Sequence, residues 1–351
     1  MDYIEIQGYK SLKDVKIGLR PINILIGANG AGKSNFISFF DLLNAVYEQK
    51  LKEFIALKGE DKILYNGIKI TDQIKVKILF ERNVSSYSFT IKKGDSNFVF
   101  INENLQLKND IREISNYNSE TNMFLHQDIL NYFKSNFTTL KKYHFLDTGK
   151  NSPFTETCHK DNDAYFLYET GKNISAFLFR IKNENPIIYN RIVKTIQSIA
   201  PFFSDFFFQP NAEGLIRLHW QDKYSSTVYG ANDLSDGTLR FIALSVLFLQ
   251  PVLPVSLLII DEPELGLHPL ATAKVAGYIK SAAKKGRQII IATQSTDLIS
   301  YFEPEDIVTV NQVNGESKFK RLKKEELSSW LEEYTLGELW QRNIIADGQP
   351  K

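Results

Sequence analysis

Gly27-Ala28-Asn29-Gly30-Ala31-Gly32-Lys33-Ser34 fits the pattern GxxxxGK[ST] in full. Glycines at this spacing let successive backbone N–H groups turn toward one centre, and such a nest holds an anion. The pattern needs a strand before it and a helix after it. Apolar Ile22 to Ile26 and a helical run from Gly32 supply both, and the helix start adds its positive dipole end. The implied chemistry is a grip on the phosphates of a nucleoside triphosphate. Lys33 would bridge the β- and γ-phosphates, and the Ser34 hydroxyl would meet magnesium. Asn29, Gly30, Ala31, Gly32 and Asn35 complete the cradle and its first helical turn.

A second group of reactive side chains closes the apolar strand Leu257-Leu258-Ile259-Ile260-Asp261-Glu262. Carboxylates there fall at the carboxyl edge of a strand, where α/β sheets bind ligands. Asp261 would hold magnesium through water, and Glu262 could polarise an attacking water as general base. A lone Asp-Glu pair is equally well a solvated strand end; beside a phosphate loop the chemical reading prevails. The histidines, His126, His144, His159, His219 and His268, show no metal-ligand spacing.

The elements that must position these groups read as an α/β fold. Alternation over Tyr3 to Ile6 and Val15 to Ile17 predicts half-buried strands. Ile74 to Phe80 and Tyr87 to Ile91 predict two more, joined by a turn around Asn83 and Ser85. The helix from Gly32 puts Phe36, Ile37, Phe40, Leu43 and Val46 on one face. From about Asn102 to Asp233 the pattern is irregular, with short helical stretches and no heptad or fixed repeat. Regular order returns with a helix over Gly237 to Gln250, the acidic strand, a helix opening at His268-Pro269 and a strand over Gln288 to Ala292. A hairpin turns at Asn314-Gly315, and a last helix runs from about Lys324 to Asn343, with Leu327, Trp330, Leu331 and Tyr334 on one face. Strand–helix–strand alternation of this kind argues for a largely parallel core sheet.

Composition agrees with a globular protein and narrows the function classes. The chain has 351 residues, 43% hydrophobic and 24% charged, and a net charge of +1, so no global basic field advertises nucleic acid. The single cysteine, Cys158, forms no internal disulfide and suits a reducing cytoplasm. Met1 to Leu12 lack the basic start and apolar run of a secretory leader, so none is expected. The longest apolar run, Phe241 to Leu258, is broken by Gln250, Pro251, Pro254 and Ser256, so a soluble protein without a membrane span is expected.

Leu234-Ser235-Asp236-Gly237-Thr238, ahead of a helix and upstream of the acidic strand, resembles the signature of the ABC superfamily, usually LSGGQ. Asp261-Glu262-Pro263-Glu264-Leu265-Gly266-Leu267-His268-Pro269 is similar to the Walker B and D-loop segment of RecF, SMC and OLD-type ATPases. More narrowly, the chain resembles small bacterial AAA-family ATPases with an ABC fold, often associated with phage defence. Tyr143-His144-Phe145, Leu234 through Arg240 and Leu336-Gly337-Glu338-Leu339-Trp340 carry that likeness too. It covers most of the chain and is looser over residues 50 to 230.

The resemblance implies an ABC-type ATPase head: a P-loop parallel sheet core, an antiparallel β subdomain and a helical insertion. The expected domains are residues 1–101 as first lobe, 102–233 as insertion and 234–351 as second lobe. It implies ATP and Mg2+ as cofactors, with Ser235, Asp236 and Gly237 addressing the γ-phosphate held by an opposite subunit. Gln294, in Ala292-Thr293-Gln294-Ser295, stands where the superfamily often has a γ-phosphate-sensing histidine. Glutamine hydrogen-bonds but carries no charge, so slow hydrolysis is expected. Lys10 and Ser11 resemble the segment lying beside the nucleotide in SMC-like heads. Gln73 and Gln106 are candidates for the Q-loop glutamine by position only.

The expected function is a cytoplasmic ATPase that dimerises on ATP and switches a separate effector, such as a TOPRIM-type nuclease, in phage defence or DNA maintenance, with DNA a possible further partner. The alternatives are the nucleotide-binding subunit of a membrane transporter and a nucleotide-locked structural dimer. The ELGLHP segment, the long stretch between Lys33 and Ser235 and the degenerate signature favour the first reading. No nuclease domain is expected after the last helix, and no second carboxylate cluster suggests one.

Overall fold

The computed structural model describes the chain apart from residues 82–83, 96, 109, 116, 127–136, 138, 146, 150, 254 and 346–351. The expected turn residue Asn83 and Pro254, one of the residues that interrupt the longest apolar run, lie outside the described residues. The chain divides into two compact units, Met1–Leu140 with Gln288–Lys351, and Lys141–Arg287.

The first unit opens with β1 (Tyr3–Tyr9), β2 (Leu12–Gly18) and β3 (Ile22–Ile26), then α1 (Lys33–Tyr47). Next come β4 (Gln73–Phe80), β5 (Ser85–Lys93), β6 (Phe98–Leu107) and β7 (Asp110–Ser115). These form an antiparallel sheet in the order β2-β1-β4-β5-β6-β7. Its strands alternate as the sequence predicts: β4 buries Ile74, Val76, Ile78 and Phe80 and turns Lys75 and Lys77 out. β3 is buried at every position, and α1 buries Phe36, Ile37, Phe40, Leu43 and Val46 together with Phe39 and Leu42.

The antiparallel sheet continues past Asn102, where the sequence reads as irregular. Glu103 hides the alternation: it is an acid pointing inward, fully buried, and the Tyr87 hydroxyl donates to its carboxylate at 2.7 Å. The Thr121 hydroxyl donates to the same oxygen, so the buried charge is solvated by protein donors.

The second unit holds α2 (Ile174–Glu184) and α3 (Pro186–Gln197), more regular than expected for this stretch. A small antiparallel sheet of β8 (Phe203–Phe207), β9 (His219–Asp222) and β10 (Val228–Gly230) follows. Trp220 stacks between Phe203 and Tyr229, with ring centroids at 6.0 and 4.9 Å. Then come α4 (Asp236–Leu249), β11 (Leu257–Asp261) and α5 (Pro269–Lys284), within a residue or two of their predicted bounds.

The chain returns to the first unit with β12 (Gln288–Thr293), β13 (Ile307–Val313) and β14 (Glu316–Arg321). β3 lies between β12 and β13, parallel to both: Ile24 pairs with Ile291 on one side and Ile307 on the other. β14 folds back antiparallel through Asn314 and Gly315, at φ 52° and 79°, the two left-handed residues a tight hairpin demands.

The single last helix expected over Lys324 to Asn343 is two: α6 (Lys324–Leu331) and α7 (Leu336–Gln341). Thr335 causes the break, because it and Glu338 form a capping box in which the Thr335 N–H donates to the Glu338 carboxylate at 2.8 Å. The consequence divides the two tryptophans. Trp340 packs inside, at 6% exposed, while Trp330 stands 45% exposed.

Candidate functional site

The phosphate loop runs from the end of β3 to the first turn of α1. Gly32 is the residue before that helix, with φ 113°. A Cβ built there would lie 1.9 Å from Ser317 Oγ and 2.9 Å from Ser11 Oγ, so only glycine fits. Lys33 is 6% exposed, and its ammonium donates to the loop carbonyls of Gly27 at 2.5 Å and Ala28 at 3.1 Å. Asn29, Gly30 and Ser34 are exposed, whereas Ala31 is buried. A buried cation encircled by the loop, beside an exposed hydroxyl and a helix start, is a donor set that suits a polyphosphate and its magnesium.

Beneath the loop lies a hydroxyl network the sequence did not disclose. Ser317 of β14 is fully buried and donates to the Ala31 carbonyl at 2.7 Å. Its hydroxyl also stands 2.7 Å from that of Ser11, which accepts from Asn35 Nδ2 at 2.7 Å. The Ser317 N–H donates to the Ser11 carbonyl at 2.8 Å. Ser11 is thus placed against the loop, and Asn35 is engaged with it. Lys10 donates to Ser38 Oγ at 2.8 Å. A cavity of about 560 Å³ adjoins these residues, lined by Lys10, Ser11, Asn35, Lys58, Lys62 and Asn66 among others.

In the second unit, β11 ends at Asp261, and Glu262 takes a left-handed φ of 45°, so the chain turns sharply at the two carboxylates. Both are half-buried. Ser235 is the N-cap of α4, its hydroxyl accepting from Thr238 N–H at 3.3 Å. Asp236 is exposed in the first turn, where a carboxylate favours the helix dipole.

The start of α4 is held against the loop after Glu262. A Cβ on Gly237 would lie 2.1 Å from the Gly266 carbonyl oxygen. Arg240, buried at 4% exposed, donates through Nε to the Phe145 carbonyl at 3.0 Å and through Nη1 to the Leu265 carbonyl. Burial lowers its pKa from the ordinary guanidinium value, and the charges of Asp236, Glu264 and Glu262 oppose that shift. Sequence reasoning named Arg240 as part of a likeness but gave it no role; nothing local in LSDGTLR announces the carbonyls it reaches.

Gln294 is exposed just beyond β12, ahead of the Ser295-capped turn. Gln106 lies on β6, accepting from the Ser86 hydroxyl at 3.2 Å and donating to the Lys108 carbonyl at 3.1 Å. Among the described residues, no group of three or more His, Cys, Asp or Glu could hold a metal ion. A magnesium at this loop would therefore draw most ligands from phosphate and water, as that cation commonly does. Among the described residues, no helix is long and apolar enough to cross a membrane.

Residues 22–300 match the AAA_21 family, "AAA domain, putative AbiEii toxin, Type IV TA system". A comparison with curated proteins finds no match. Among solved structures, an SMC head bound to the C-terminal winged-helix domain of ScpA is similar at TM-score 0.61 and 18% identity, over 93% of this chain and 99% of that one. An SMC head domain with an extended coiled coil from Pyrococcus furiosus, bound to the C-terminal domain of ScpA, gives TM-score 0.56 and 17% identity, over 95% and 98%. The SMC head domain from Thermotoga maritima gives 0.49 and 14%, over 92% and 98%. The phosphate loop, the acidic strand and the family match converge: the chain belongs to the AAA_21 family of AAA domains and has the fold of an SMC head.

Proposed function

We propose that this protein binds ATP with magnesium, hydrolyses it slowly in a head-to-tail homodimer, and thereby switches a separate effector protein. The observation that carries the reading is Lys33, buried and ringed by its own loop carbonyls at the start of α1. Burying an ammonium is costly unless it is matched by oxygen acceptors, and a polyphosphate supplies stronger ones than peptide carbonyls.

The roles follow from chemistry. The cradle Asn29 to Asn35 holds phosphate through backbone N–H groups and Lys33. Ser34 and Asp261 are the residues that would hold magnesium, which neutralises charge on the phosphates when bound. Glu262 takes a proton from the attacking water, and Gln294 orients water or phosphate without contributing charge. Ser235, Asp236 and Gly237 sit at a capped helix start, a surface that suits a phosphate presented by a second copy of the chain.

The family's description as a Type IV toxin–antitoxin system supports a role in phage defence or DNA maintenance. SMC heads bound to ScpA domains support the general idea of a head that carries a partner. The effector we favour is a nuclease of TOPRIM or another type, with DNA as a further partner and the cytoplasm as the place of action. Closure on ATP would alter the surface offered to it, which is a coupling between two sites. Purified protein incubated with ATP and magnesium should release phosphate and leave plasmid DNA intact. Absence of turnover despite tight ATP binding would replace the switch by a static nucleotide-locked dimer.

A further inference from the structure

A cavity of about 590 Å³ lies wholly within the second unit, between the carboxyl-terminal halves of α4 and α5 and one face of α3. That volume is within the roughly 300–1,000 Å³ usual for small-molecule sites. Its wall carries four cations, Arg191, Lys274, Lys285 and Arg287, and no acidic residue. Among the described residues, none of the four side chains makes an ion pair or a hydrogen bond. Lys285 and Arg287 follow the end of α5, where cations favour the helix dipole in any protein. Arg191 and Lys274 stand inside their helices and have no such reason.

Two more features point to an occupant. Phe248 and Tyr278 supply aromatic surface, their rings stacked with centroids 5.7 Å apart. Gly277 lies in the interior of α5, where glycine costs about 0.5–1 kcal/mol relative to alanine. Its φ is ordinary for a helix, and a Cβ built on it would meet nothing within 4 Å. No packing within the protein requires that glycine; it keeps the cavity wall open to the backbone.

We infer that this cavity is a second anion site, taking a phosphorylated nucleoside: the phosphate among the four cations and the base against the aromatic and apolar wall. Either a free nucleotide or the 5′-phosphorylated end of a single strand has that chemistry. The cavity owes nothing to the phosphate loop.

The test uses the full chain carrying Lys33→Ala, so that binding at the phosphate loop is removed. Adenosine monophosphate and a 5′-phosphorylated tetrathymidylate are titrated separately by calorimetry. Saturable binding of either is expected, and the tighter of the two identifies the source. Lys274→Glu with Arg287→Glu should weaken it at least roughly tenfold, as loss of charge-assisted bonds implies. Gly277→Phe, which fills the cavity without altering charge, should abolish it, and Lys52→Glu should leave it unchanged. Lys274 and Arg287 are half-buried, Gly277 and Lys52 exposed, and thermal melts of each variant check the fold. No saturable binding of either probe, or binding indifferent to the charge reversal and to Gly277→Phe, overturns the inference. Equal weakening by Lys52→Glu overturns it too, since the attraction would then be diffuse.

Discussion

Gly237 and Gly266 meet so closely that a Cβ on the first would stand 2.1 Å from the carbonyl oxygen of the second. Alanine inside a helix ordinarily gains about 0.5–1 kcal/mol over glycine. Here a rigid backbone carbonyl occupies the space, so Gly237→Ala should instead cost about 1–3 kcal/mol. Gly277→Ala, on the next helix with nothing near its Cβ, should show the ordinary gain. Denaturant melts of the two variants should therefore move in opposite directions. A stabilised Gly237→Ala would mean that α4 does not rest on the Gly266 loop.

Arg240 offers a sharper test of the same contact. Arg240→Met keeps the aliphatic stem but removes the donors to Phe145 and Leu265 carbonyls, and a buried acceptor left unmet costs about 1–3 kcal/mol. Arg240→Lys should not restore stability, because one ammonium cannot reproduce the planar fork that reaches two carbonyls. Urea midpoints decide it: a lysine variant as stable as wild type would make the guanidinium geometry irrelevant.

For the nucleotide, Lys33→Ala should abolish detectable ATP binding in a titration. Glu262→Gln should keep binding and lose turnover, because it removes the base and leaves the cradle intact. Wild-type ATP affinity in Lys33→Ala would refute the phosphate-loop assignment.

Ser317 should prove a positioning residue for that loop. Ser317→Ala leaves the Ala31 carbonyl without its donor and is expected to weaken ATP binding by roughly five- to tenfold, about 1–1.4 kcal/mol. The unmet buried carbonyl should also lower stability by about 1–3 kcal/mol, so affinity is read at a temperature where both proteins are folded. Unchanged affinity would leave the network as packing alone.

The dimer can be tested by mixing. A Ser235→Arg chain and a Lys33→Ala chain should each be inactive alone and regain part of the turnover together, since a mixed pair restores one complete site. If light scattering shows one mass with and without ATP, and mixing rescues nothing, no composite site exists.

What the sequence disclosed and what it hid divide along a physical line. Gly27 to Ser34 was legible because a nest of N–H groups needs glycines in one local order, and the flanking β3 and α1 were legible from periodicity. Asp261 and Glu262 were legible because an apolar run ends abruptly in charge. Ser317 was not: it serves the loop from 306 residues beyond Ser11, and one serine in an exposed-looking hairpin carries no signal. Glu103 misled the reading directly, since an inward acid breaks alternation and only its cross-strand partner Tyr87 explains it. The break at Thr335 was written in Thr335 and Glu338 as a capping box but was masked by continuous helical periodicity around it.

The placement of β3 between β12 and β13 bears on the order in which the protein can be made. Ile22 to Ile26 leaves the ribosome early, yet its partners are residues 289–293 and 307–309, and the loop that follows it leans on Ser317. At about 5–20 residues per second, synthesis takes roughly 15–60 s to reach them. During that interval a strand buried at every position of the finished fold has no sheet neighbours, and its unpaired edges are open to other chains. ATP thus cannot template the early steps of folding. The newborn chain must shelter β3 by other means, and the ability to grip a nucleotide arrives last.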